Sequence, residues 1–147
     1  MRERLFCWVV SMPSSNPRYA NYRARQRIRK QLEQDNSPCW ICGLPIPAVK
    51  AGHPYAMEVD ELVPISKGGS AIDRGNVARA HRCCNQWRSD KPVELVRSIV
   101  ANAAAMYGRW RCPFEFVGFA NLAYKRMRRG ESGVKREFGQ LVTSRDW

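Results

Sequence analysis

The feature that most constrains the fold of this chain is a pair of ligand-rich clusters, the first ending at Cys42 and the second beginning 39 positions later at His81. The first reads Cys39-Trp40-Ile41-Cys42-Gly43, a C-x-x-C knuckle with glycine directly after it; the second reads His81-Arg82-Cys83-Cys84. The two-residue gap lets one tight turn present two donors at metal-binding distance. Two such half-sites match a tetrahedral structural zinc held by Cys39, Cys42, His81 and Cys84. Cys83 has the wrong spacing from His81, so Cys84 is the expected ligand. A lone C-x-x-C also reads as a redox pair, and redox or simply packed thiols remain the alternative here. A metal at this place closes a long loop and stabilises a small core.

The chain has 147 residues and 44% apolar content, the length and composition of one globular domain. Its longest apolar run, residues 5–10, is six residues, against the roughly 20 needed to cross a bilayer. It is also shorter than a signal-peptide core. The expectation is a cytoplasmic protein without a membrane partner.

The formal charge is +12, and its distribution is informative. Residues 39–91 hold seven basic and five acidic side chains, a net of +2, so +10 lies in the flanks. A nearly balanced middle between basic ends suits a chemical centre held on a polyanion by its arms. Solvated helix faces are the plain alternative for any one run.

Pattern divides the chain into an irregular lead-in at 1–16, a basic helix within 17–36, a zinc-bearing unit at 37–91 and a helical, basic extension at 92–147. Arginines dominate the first helix, with Tyr22, Ile28 and Leu32 as sparse apolar members. Residues 57–63 alternate apolar and acidic, as a half-wet strand does. A Gly68-Gly69-Ser70 loop, a short strand at 77–80 and a helix from His81 follow, completing a ββα unit. Lys67-Gly68-Gly69 reads either as a phosphate-binding turn or as a plain one. Apolar residues from Val93 to Tyr107 recur at helical spacing between Pro92 and Gly108. Residues 109–118 read as aromatic and proline-interrupted, and 125–136 as a basic tail segment.

This layout gathers chemistry. Asp60 lies on the first strand, and Cys84 and Asn85 follow His81 at i+3 and i+4 on the helix. A carboxylate from Asp60 and an amide oxygen from Asn85 are hard donors that suit Mg²⁺ or Mn²⁺.

CWICGLPI, HPYAMEVDELVPISKGG and NVARAHRCCNQWRSDK together resemble the HNH endonuclease family, of the kind found in phage and prophage genomes beside packaging genes. The resemblance covers just over a third of the chain. It implies a ββα-metal fold with a structural zinc; with the helices read on either side, the expected fold is α+β, a small zinc-stapled core flanked by N- and C-terminal helices. It also implies that Asp60 and Asn85 bind the catalytic cation and that Asn76 braces the loop between the strands. Arg88 then faces the phosphate backbone. The family's general base directly follows the aspartate and is histidine; here it is Glu61. Histidine titrates near the working pH, and glutamate about two units lower. Glu61 therefore acts as the base, joins the cation, or marks an inactive relic. His53 reads as a turn residue before Pro54, or as a replacement base. Trp40 and Trp87 are expected to pack around the metal rather than stack on bases.

The expected function is DNA phosphodiester hydrolysis with Asp60, Glu61, Asn76 and Asn85 in the catalytic site. Arg23, Arg27, Lys30, Lys67, Arg88, Lys91, Arg128 and Arg129 are the expected nucleic-acid contacts. RNA and packaging proteins stay open as partners. The alternative is a non-catalytic zinc module that binds nucleic acid.

Overall fold

The computed structural model describes residues 21–131. The lead-in at 1–16, the apolar run at 5–10, residues 17–20 of the expected basic helix and 132–136 of the basic tail segment lie outside the described residues. Helix α1 spans Tyr22–Asp35 and buries only Ile28 and Leu32, one turn apart, leaving the rest of its surface to charge. Asn36 ends it in the left-handed conformation that asparagine tolerates. The knuckle follows, with Gly43 at φ +71° where the chain turns back on Cys39.

Strands β1 (Met57–Glu61) and β2 (Val77–His81) form an antiparallel hairpin, in register from Met57 opposite His81 to Glu61 opposite Val77. Side chains alternate faces along a strand. Met57, Val59 and Val77 meet Ile28 and Leu32 of α1 on one face. Glu58, Asp60 and Ala80 belong to the other face, against helix α2 (Arg82–Arg88). The strand pattern expected over 57–63 stops at Glu61, because Val63 is held by the Asn76 side chain and Pro64 opens a turn. Helix α2 begins one residue later than expected. His81 is the last strand residue and sits at the helix cap.

Helices α3 (Val93–Tyr107) and α4 (Pro113–Arg128) pack against each other and on the knuckle. The segment read as proline-interrupted is mostly helix, because Pro113 occupies the first turn, where its missing N–H costs nothing. Phe116, Ala120 and Ala123, spaced four and three residues apart, are fully buried. One apolar cluster joins Cys39, Ile41, Cys42 and Cys84 to Val96, Ile99, Ala103 and Phe116. The units expected at 37–91 and 92–147 therefore share a core. The whole is a small α+β fold with a buried Cys3His cluster. No described helix is long and apolar enough to cross a membrane.

Candidate functional site

The ligand atoms of Cys39, Cys42, His81 and Cys84 all lie within 4.8 Å of one another, and all four residues are buried. His81 Nδ1 stands 3.4 Å from Cys42 Sγ and 3.9 Å from Cys84 Sγ. A tetrahedral zinc with ordinary bond lengths separates sulfur and nitrogen by about 3.6 Å. The other ring nitrogen, Nε2, is 3.1 Å from the Pro45 carbonyl, the kind of partner that leaves Nδ1 free to ligate. Burial opposes ionisation of Cys39, yet hydrogen bonds from Cys42, Cys84 and His81 hold its thiol well below the usual range. The hydrogen bond to Cys39 pushes Cys42 up to about 12, and bonds with Cys39 and Cys42 push Cys84 up as well. One thiolate is as much negative charge as the uncompensated cluster accepts, and a cation lets the others ionise. The donor set and spacing thus fit a metal ion such as zinc. Trp110 Nε1 donates to the Cys42 carbonyl at 2.7 Å, tying the knuckle to the start of α4.

The polar residues of the hairpin are distributed differently from the sequence expectation. Asp60 is 4% exposed and Arg88 1%. Arg88 Nη1 donates to Asp60 Oδ1 in a buried ion pair, while Trp40 Nε1 donates to Asp60 Oδ2 at 2.8 Å. Burial pushes the Asp60 carboxyl above the ordinary carboxylate range, with the Arg88 charge and the Trp40 hydrogen bond opposing it. Each carboxylate oxygen thus accepts a hydrogen bond from a side chain of the fold itself. Asn85 lies on the same face, where its Nδ2 donates to Glu58 Oε2 at 2.9 Å. Arg88 also donates to the carbonyls of Glu61, Leu62 and Lys91. The guanidinium expected on the phosphate backbone thus makes its hydrogen bonds inside the fold.

Glu61 leaves β1 on the face opposite Asp60, as adjacent strand residues must. Its Oε1 accepts from Arg25 Nη1 of α1 at 2.9 Å. It does not share a donor set with Asp60 and Asn85. Asn76 braces the loop: its Oδ1 accepts from Val63 N–H, and its Nδ2 donates to the Val63 and Ser70 carbonyls at 2.9 and 3.0 Å. The turn N–H groups of Lys67, Gly68 and Gly69 all donate to Pro64 or Ile65 carbonyls, so this is a plain turn.

Arg23, Arg27 and Lys30 are exposed on α1, as are Arg128 and Arg129 at the end of α4, while Lys67 Nζ reaches the Asp90 carbonyl. Lys91 instead closes α2, donating to the Trp87 and Arg88 carbonyls with its ammonium over the Trp87 ring. Trp87 stands edge-on to Phe116, and Trp40 lies under Arg88, so both are packing residues. His53 is an exposed turn residue whose Nδ1 accepts from Tyr55 N–H.

Sequence reasoning passed over Glu58. Strand periodicity from Asp60 puts it on the α2 face, and there it binds Asn85 and stands 3.8 Å from Arg82. It also lines a cleft of about 270 Å³ between α1 and β1, together with Arg25, Arg29 and Val59. Glu58 and Asn85 offer hard oxygen donors on the α2 side of the strand, and Arg25 and Arg29 offer cations along the cleft. The chain matches no family model, no curated protein and no solved structure in comparisons with each.

Proposed function

We propose that this chain is an HNH-type endonuclease that hydrolyses DNA phosphodiester bonds, stapled by zinc at Cys39, Cys42, His81 and Cys84. The observation that supports the reading is the cleft between α1 and β1, lined by Arg25, Arg29 and Glu58, with Asn85 bonded to Glu58 from the α2 side. Phosphodiester hydrolysis needs oxygen donors for a hard cation next to positive groups for the phosphate, and a simple polyanion binder has no use for the former. Glu58 and Asn85 are the residues that would hold Mg²⁺ or Mn²⁺, which supplies positive charge against the phosphate in the transition state. Arg25 and Arg29 bind and orient the phosphate. Glu61 positions Arg25 through its ion pair. Asn76 keeps the loop after β1 in place, and the exposed basic residues of α1 and α4 supply backbone affinity that falls as salt rises.

A second reading, a non-catalytic zinc protein that binds nucleic acid or serves DNA packaging, is favoured by the occupation of both Asp60 oxygens by Arg88 and Trp40. Nicking of supercoiled plasmid in Mg²⁺, Mn²⁺ and EDTA separates the two. The nuclease reading expects metal-dependent nicking that Glu58→Gln and Asn85→Ala abolish while DNA binding persists. Binding without nicking by wild type, with nicking gained in Glu61→His, identifies a lapsed site. Binding without nicking by either protein establishes the second reading.

A further inference from the structure

Arg79 is the one buried side chain among the described residues whose polar atoms lack partners: Nε and Nη1 are both buried and neither makes a hydrogen bond. The residue is 7% exposed, and no described carboxylate forms an ion pair with it. A guanidinium in this state is costly, and native proteins keep one where an ion or water completes it. Its surroundings indicate which. Arg79 lies directly opposite Val59 in the hairpin register. Side chains paired in this way stand about 5 Å apart on one face, well within the reach of an arginine. Val59 in turn lines the cleft that holds Arg25 and Arg29. Both of those arginines are already held in place, Arg25 by Glu61 and Arg29 by Glu33 and the Met57 carbonyl. Of these three arginines only Arg79 makes no ion pair, and in the hairpin it stands beside Val59, a residue that lines the cleft.

We propose that Arg79 is the inner half of a phosphate-binding site whose outer half is Arg25 and Arg29 of α1. The ligand is a phosphate oxyanion. Its source in the cell is the nucleic-acid backbone if the function proposed above holds, and this part of the inference rests on that reading; a free phosphate ion is the other source of the same chemistry. Arg79 is a binding residue here, and it lies on the hairpin face opposite the Asp60–Arg88 pair, so the two arginines on neighbouring elements have different tasks.

The test uses full-length wild type, Arg79→Met and Arg79→Lys. Methionine keeps the apolar stem and removes the unpaired charge, so in chloride Arg79→Met should fold and melt at or above the wild-type temperature. Replacing chloride by inorganic phosphate at matched ionic strength should raise the melting temperature of wild type, partly that of Arg79→Lys, and not that of Arg79→Met. Binding of a short DNA duplex, followed by fluorescence anisotropy over a salt series, should weaken about tenfold in Arg79→Met. The slope of log affinity against log salt should fall by about one. Wild type that responds to phosphate but binds no DNA supports the phosphate site and defeats the nucleic-acid reading. Wild type that binds DNA, with Arg79→Met matching it in affinity, slope and phosphate response, leaves that reading intact and overturns the site.

Discussion

Replacing Asp60 should damage the fold before it reports on catalysis. In Asp60→Ala the Arg88 guanidinium, 1% exposed, keeps its bonds to the Glu61, Leu62 and Lys91 carbonyls but loses its one carboxylate partner among the described residues. Trp40 Nε1 loses its acceptor as well. Breaking a buried pair from one side costs about 3–5 kcal/mol. For a chain of this size that is a fall of about 10–15 °C in melting temperature. Asp60→Asn should be milder, about 1–3 kcal/mol, because the amide oxygen still accepts from one of the two donors. The pH dependence follows from the same burial. The folded-state pKa of Asp60 is raised, so the folded chain takes up this proton at a higher pH than the unfolded chain does. The pH-dependent part of Asp60's contribution to stability is therefore fully present below its unfolded pKa and is lost as pH rises through the folded one. Asp60→Asn should flatten that part of the stability–pH curve. Thermal melts of the three proteins from pH 4 to 8 measure all of this. An Asp60→Ala protein that melts within about 2 °C of wild type, a difference below about 1 kcal/mol, refutes the claim that this pair clamps α2 to the hairpin.

Chelation of zinc, or Cys84→Ser, should abolish the cooperative melt, and zinc uptake by the metal-free protein should release protons, since Cys42 and Cys84 hold theirs above neutral pH; calorimetry in buffers of different ionisation enthalpy counts them. Gly69→Ala should cost about 3 kcal/mol in chemical denaturation, because a Cβ there would stand 1.8 Å from the Val63 carbonyl oxygen in the loop that Asn76 braces. Trp110→Phe should cost about 1 kcal/mol by losing its bond to the Cys42 carbonyl. Changing Arg23, Arg27 and Lys30 together to glutamine should lower the salt slope of DNA binding by about one per residue while leaving the melting temperature near wild type.

The Cys3His cluster, the hairpin and α1 are legible in the sequence for local reasons. C-x-x-C-Gly and H-x-x-C place their donors within a single turn, and alternation over 57–61 or a four-residue apolar step at Ile28 and Leu32 depends only on neighbours along the chain. Helix α4 was equally local in principle: Pro113 starts it, and Phe116, Ala120 and Ala123 carry its apolar spacing. It was obscured because a proline marks either a break or a first turn. The partners of the charged residues were not legible. Asp60 and Arg88 are 28 positions apart and Glu58 and Asn85 are 27 apart. Which carboxylate meets the guanidinium and which meets the amide depends on how α2 is rotated over the hairpin. Cys84 in the buried Cys3His cluster and the packing of Trp87 on Phe116 hold that rotation. By itself, then, the sequence determined which side chains are present to bind a metal and which elements carry them. The tertiary structure alone decided that Asp60 is a buried clamp, that Glu58 meets Asn85, and that Nε and Nη1 of Arg79 are buried without a hydrogen bond. Ligand type and periodicity are short-range properties of a chain, whereas electrostatic pairing belongs to the surfaces that folding brings together.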